Sequence, residues 1–284
     1  MKKLLKKYVL KKFCTEQCVK SESSTVIPKP NPLIGGSEVY QKDNNTPYWY
    51  CKIKEGRDEF MHLYFEDLTE DDVLFDTKGK KRKYQNFVEK NFKDYALNAV
   101  NNKPTEGFCW IPVYEPSVDL KGNLQYVSGA EVFCKFSSYA WEESFKKYSP
   151  ENGSKQATIT IYMLLALRWL KDGIVTFEQL VCDSEEIGHF FNYDKATKKI
   201  KKVEEYRFKD LFDLEKTGEH EFGGLYGFVG NTPKIVKDPN STGGFAVVGT
   251  DLCNFIISPV VWVTPNINPS SIFESKVGLL QLTK

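Results

Sequence analysis

Apolar residues recur at helical spacing at Tyr84, Phe87, Val88, Phe92, Tyr95, Ala96 and Val100. This predicts an amphipathic helix, ended by Asn101–Pro104. A shorter helical pattern covers residues 2–14, where Leu4, Leu5, Tyr8, Val9 and Phe13 share one face and lysines the other. Two aromatic-rich runs, Tyr48–Ile53 and Phe60–Phe65, flank a turn-like Lys54–Asp58 and predict a β-hairpin. The acidic stretch Glu66–Asp72 reads as a solvated loop or helix cap, and the basic run Lys78–Lys83 as a turn. A strand is expected at Phe108–Tyr114 and a polar turn at Asp119–Asn123. A helix is then expected near Ala130–Tyr148, with Phe133, Phe136 and Ala140 facing inward. Another follows at Thr160–Lys171. A third starts at Thr176, where Thr176 and Gln179 have capping-box spacing, and runs towards Phe191. From about Gly223 the chain is rich in Gly, Pro, Asn and β-branched residues, the composition of short strands joined by turns and long loops. No repeat of fixed period is visible.

Segment composition divides the chain further. Ser21–Gly36 carries Pro28, Pro30 and Pro32 and ends on Gly35 and Gly36, which reads as a linker and not a packed element. The expected organisation is an arm and linker at 1–36, a small hairpin-plus-helix module at 37–105, and a larger α+β domain at 106–284. The length of 284 residues allows either one large or two modest domains.

Charge changes this picture only at the N-terminus. The formal net charge is +1, so no global field points to nucleic acid, and no specific nucleic-acid partner is expected. Residues 1–20 nevertheless hold seven lysines, among them Lys6, Lys7 and Lys11, against the single acid Glu16. Three placements suit that arm: on its own domain, on a partner protein or negatively charged surface, or along a membrane surface. Lysines interrupt every apolar run there, so no signal peptide is read, and the longest apolar run, around Met163–Leu167, is too short to span a bilayer. The seven cysteines are scattered and form no CxxC, and the three histidines are isolated. That argues against a zinc finger or ribbon and for free thiols in a reducing compartment.

Chemical motifs are sparse. The glycine-rich stretch Gly223–Asn231 is followed by Thr232-Pro233 and an extended-looking run, whereas a phosphate loop opens a helix behind a Lys-Ser/Thr pair. Glu185-Glu186-Ile187-Gly188-His189 lacks the His-Glu-x-x-His spacing of a zinc protease. Cys182 and His189 would lie on one helix face about 10 Å apart, too far for nucleophile and base. Asp251 and Glu274 have no evident partner for acid–base work.

The order Gly224-Leu225-Tyr226, Gly230-Asn231, Asp238, Gly243-Gly244 resembles the C-terminal half of the formylglycine-generating enzyme (sulfatase-modifying factor) family. Val277-Gly278-Leu279-Leu280 stands where that family places its last strand. Thr160–Trp169 and Val127–Phe136 resemble two upstream helices, so the resemblance covers about residues 107–284. It implies a variant C-type lectin fold, an α+β body with short strands and long loops, behind the small α+β module and the basic helical arm. It implies structural roles for Gly224, Tyr226, Gly230, Asn231, Gly243 and Gly244. The family's catalytic pair of copper-binding cysteines falls on Val248 and Cys253, and one thiolate cannot make a two-sulfur copper site. Its calcium-associated Trp-Glu-Trp is replaced by Pro233-Lys234-Ile235, a lysine where a hard cation wants a carboxylate. No catalytic residue, metal ligand or cofactor is therefore assigned. The expectation is a non-enzymatic structural or binding component of a larger assembly, in the form of a bacteriophage virion protein made in a host cytoplasm. It would dock other protein subunits through Leu4, Leu5, Tyr8, Val9, Phe13, Lys6, Lys7 and Lys11. The alternatives are a diverged copper-dependent oxidase, and a free carbohydrate- or protein-binding module, cytoplasmic or bound to a glycan or cell-surface ligand.

Overall fold

The structure, a computed structural model, describes residues 26–42, 46–74, 83–181, 187–188, 193–194, 199–200, 214, 216–249, 260–272 and 276–284. The eight arm residues named above, and Cys182, His189, Asp251, Cys253 and Glu274, lie outside them, as does the basic run up to residue 82.

The expected hairpin forms: β2 (Trp49–Ile53) pairs antiparallel with β3 (Asp58–Tyr64), and β1 (Tyr40–Gln41) flanks β2. The fourth strand of that sheet is β4 (Phe108–Pro112), which pairs with β3 along its length from Phe60↔Pro112 to Tyr64↔Phe108. This corrects the expected boundary at 105/106, because the last strand of the N-terminal sheet belongs to the larger segment. A sheet edge left open there would expose unpaired backbone groups, and β4 covers it.

Period-two alternation sends the two faces of this sheet into different cores. Met61, Leu63, Cys109 and Ile111 enter one, together with Val88, Phe92 and Ala96 of α1 (Lys83–Asn101). Phe60, Trp110 and Cys51 enter the other, together with Trp141 and Phe145 of α2 (Ser138–Tyr148). Short pairs follow β4: β5 (Ser117–Val118) with β6 (Leu124–Gln125), β8 (Tyr193–Asp194) with β9 (Lys199–Ile200), and β10 (Glu221–Phe222) with β11 (Leu225–Tyr226). A second four-stranded sheet has the order β14 (Val263–Thr264), β13 (Phe245–Val248), β12 (Lys234–Lys237), β15 (Val277–Gly278). It splits its faces in the same way, with Val236, Ala246 and Val248 in the first core and Ile235, Phe245, Val247 and Val277 in the second.

The first core is centred on α3 (Ile159–Lys171), in which every residue from Ile161 to Leu170 is buried. A helix apolar on all sides is a core helix, and Met, Leu and Ala supply both its propensity and its packing. Thr158 caps it, its hydroxyl accepting from Ile161 N at 3.4 Å. The Thr176–Gln179 box also forms, in both directions, at the start of α4 (Phe177–Val181). The expected continuation to Phe191 lies outside the described residues.

Three further expectations are corrected. Residues 127–136 are not helical, and α2 starts only at Ser138, behind the Ser137 cap. The backbone there finds tertiary partners: Gly129 N donates to Thr217 O, Ala130 N to Thr217 Oγ1 and Phe133 N to Pro116 O. With those groups satisfied, the helical ladder is not needed. The proline-rich stretch is packed, not a free linker, over its described part: Ile27 and Leu33 are buried, and Ile34 exchanges two hydrogen bonds with Asn152. The acidic stretch forms the cap, one of its two expected readings, but it is also paired and not simply solvated. A 3-10 turn at Glu70–Val73 follows the Thr69 cap, and Asp67 and Asp72 receive Arg168 and Lys171 from the end of α3.

The C-terminal segment closes the molecule. β16 (Leu280–Gln281) pairs with β7 (Lys155–Gln156), Leu282 bridges Trp110 of β4, and β15 runs parallel to β12. Among the described residues no helix is long and apolar enough to cross a membrane.

Candidate functional site

The glycine-rich stretch places its residues around a single carboxylate. Gly227 and Gly230 carry the chain with positive φ through Phe228 and Val229, both buried, to Asn231. Asn231 Nδ2 donates to Glu115 Oε2 at 2.6 Å, and the Thr232 hydroxyl donates to Glu115 Oε1. Lys234, first residue of β12, donates from Nζ to Glu115 Oε1 at 2.7 Å, to Gly227 O at 3.1 Å and to Thr232 O at 2.6 Å. Lys234 and Glu115 are both nearly fully buried. A buried ion pair is tolerable only with its remaining donors and acceptors satisfied, which is the case here. Lys234 is thus the cation of an internal polar lock. The cavity beside it, lined in part by Glu115, Tyr226 and Lys234, is about 10 Å³, at the lower limit for one water. A space of that size is too small for an organic substrate.

The outer side of this lock is a tyrosine face. Tyr226, on β11, stacks on Tyr114 with ring centroids 5.1 Å apart. The strand is held there by Tyr226 N donating to Val113 O at 2.8 Å. Gly224 permits this approach: a Cβ on it would lie 2.4 Å from Tyr50 Oη. Glu59, buried on β3, accepts from the Tyr40 hydroxyl and from Lys42 Nζ at 3.0 Å. Lys42 Nζ also sits 4.3 Å from the Tyr50 ring centroid and 5.8 Å from that of Tyr226, within cation–π range. Burial raises the hydroxyl pKa of Tyr40 and Tyr114, and the Glu59 charge adds to both. Neither is a base at neutral pH. Tyr40, Lys42, Tyr114 and Tyr226 stay partly exposed. The face is therefore amphipathic and partly open to solvent.

Of the other residues singled out in sequence, Gly243 and Gly244 sit in the turn between β12 and β13, where Gly244 has φ of +72° and its carbonyl accepts from Asp238 N at 3.0 Å. Val248 is buried at the end of β13. Cys51, Cys109 and Cys134 are buried free thiols, and burial pushes Cys134 up to about 12. Such thiols are poor nucleophiles. Among the described residues no cluster of three or more His, Cys, Asp or Glu could hold a metal ion.

Sequence reasoning finds Tyr226 and Asn231 but misses Glu115, Glu59, Tyr40, Lys42 and Tyr114. The only trace of Glu115 is its place after a strand and before Pro116, which keeps the chain extended there. Comparison with family models, with curated proteins and with solved structures finds no match.

Proposed function

We propose that this chain is a non-enzymatic binding or structural subunit of a larger assembly, a bacteriophage virion component being the specific form, built on a degenerate C-type-lectin-like body. The observation that carries the binding role is the tyrosine face. Partly exposed Tyr40, Tyr114 and Tyr226 are pinned by Glu59 and Lys42. Rigid, amphipathic tyrosines supply contact area at low entropic cost, which is why they are enriched in interfaces. The absence of an enzymatic role is supported by Lys234, whose ammonium is used up inside the lock, and by Val248 standing where the resembling family has a copper-binding cysteine. The lectin-like body is supported by the β12–β13 hairpin, the glycine turn between its strands, and the C-terminal strands closing beside β4. The basic arm, through Leu4, Leu5, Lys6, Lys7, Tyr8, Val9, Lys11 and Phe13, is the expected second contact with neighbouring subunits.

Density-gradient fractionation of cells producing the chain from its native locus tests the assembly role. The chain is expected to sediment with particles at fixed stoichiometry. Deletion of residues 1–25, or the double change Tyr114→Ala/Tyr226→Ala, is expected to leave it in the soluble fraction, the double change removing about 2 kcal/mol or more of docking energy. A chain that never enters a particle overturns the assembly reading. Stoichiometric, tight Cu(I) binding with oxidation of a cysteine peptide would establish the oxidase alternative instead.

A further inference from the structure

A cavity of about 420 Å³ opens between the β2–β3 turn, the β5–β6 hairpin and the last turns of α2. This volume suits a mono- or disaccharide. It shares no lining residue with the tyrosine face or the Glu115 lock.

The charges in its walls divide into committed and free. Lys54 is committed: its Nζ lies 3.6 Å from Asp58 and 3.4 Å from the Tyr148 ring centroid. Burial lowers its pKa. Arg57 and Lys147 are exposed and make no ion pair among the described residues, although Arg57 Nε donates to Lys54 O at 3.3 Å. The one acid in the lining, Asp119, is held by its own turn, accepting from Lys121 N and Asn123 N at 2.8 Å each. With Lys54 paired to Asp58, Arg57 and Lys147 stand against Asp119 and leave the cavity with a small positive excess. The turn that carries Lys54 and Arg57 is also strained. Lys54 and Glu55 have φ of 51° and 60°, in the region that favours glycine or asparagine. Side chains are retained there at a conformational cost.

The rest of the wall selects among anions. Phe136 supplies aromatic surface, whereas the Tyr148 ring is covered by Lys54 Nζ and its hydroxyl is already spent on Asp58. Gln125 lines the same space. The turn's Lys121 and Asn123 backbone N–H groups, the usual cradle of a bare phosphate, are taken by Asp119. A compact, doubly charged anion would meet that carboxylate as a repulsion. A polyhydroxylated ring would meet it as a hydrogen-bond acceptor. The lining thus matches a ring that stacks, carries hydroxyls and bears one acid.

We propose that this cavity binds an acidic saccharide, a sugar ring bearing a carboxylate, with Arg57 and Lys147 supplying the attraction and Phe136 the stacking surface.

Titration calorimetry on the full chain tests this with four probes: 3′-sialyllactose, digalacturonic acid, lactose and inorganic phosphate. At least one acidic saccharide is expected to bind about tenfold or more tightly than lactose, and to weaken as salt is raised. The double change Arg57→Gln/Lys147→Gln is expected to weaken it by a further tenfold or so, without lowering the melting temperature. Lys155→Gln, which removes an exposed cation outside the cavity, is expected to change nothing. The proposal is overturned if neither acidic sugar binds better than lactose, or if the double variant binds as the unmodified chain does. It is also overturned if inorganic phosphate displaces the sugar at equal concentration, since the site would then read charge alone. None of these outcomes depends on the assembly role of the tyrosine face.

Discussion

His62 lies between Phe108 and Trp110, its ring centroid 5.0 Å from each, and neither ring nitrogen has a hydrogen-bond partner among the described residues. Burial lowers its pKa from 6.5 to about 4. The folded state therefore holds it neutral while the unfolded chain protonates it below about pH 6.5. Its contribution is complete above pH 6.5 and is lost as pH falls towards 4. Across that window the loss is about 3 kcal/mol. Urea unfolding of the unmodified chain and of His62→Leu, at pH 7.5 and pH 4.5, measures it: the variant should show a pH dependence shallower by about 2–3 kcal/mol. Equal slopes would show that His62 is charged or partnered in the fold. At this scale the sequence is least informative. His62 reads as an isolated histidine and Glu115 as a residue between a tyrosine and a proline. Their meaning comes from side chains brought from remote positions, such as Lys234, 119 residues away from Glu115.

Elements were legible where a local rule decided them. Two aromatic-rich runs around a turn set the hairpin, the 3.6-residue period set α1, and the Thr176–Gln179 spacing marked a helix start. Residues 130–137 have the composition of a helix start but lose it, because Thr217 and Pro116 satisfy their backbone groups from outside. The acidic stretch shows the same dependence. Arg168 is fully buried at the end of α3, its guanidinium bonded to Asp67 at 2.8 Å and to Asp172. Lys171 reaches Asp72 at 3.1 Å. Together these pairs fasten the 3-10 turn to α3. Arg168→Met would leave Asp172 buried without its cation and should cost about 3 kcal/mol, as removing one partner of a buried pair does. Adding Asp172→Asn to that variant should recover part of the loss, because the uncompensated charge goes with it. Equilibrium denaturation of both variants checks the pair. If the second change only destabilises further, the guanidinium serves by packing and not by charge.

The whole molecule is held closed by its last eight residues, 277–284. Val277, Leu279, Leu280 and Leu282 are all buried, and they touch β12, β7 and β4. At roughly 1.5–3 kcal/mol for each fully buried aliphatic side chain, the segment matches the entire stability of an ordinary domain, about 5–15 kcal/mol. A chain ending at residue 276 is expected to show no cooperative thermal transition by circular dichroism. A sharp transition in the shorter chain would mean that the cores close without the C-terminal strands.

By itself the sequence determined the α+β class, the hairpin, helices α1 and α3, the late run of short strands and the structural cast of the glycine-rich stretch. Each of these follows from spacing, capping or turn chemistry within a few residues. Tertiary structure alone decided that β3 and β4 join across the expected boundary, that the proline stretch packs, and that Lys234 neutralises Glu115. Only folding brings Tyr40, Tyr114 and Tyr226 to one face, and Arg57 and Lys147 to one cavity. Strand pairing, buried charge and surface clusters are contacts between residues far apart in the chain, and no local pattern carries them.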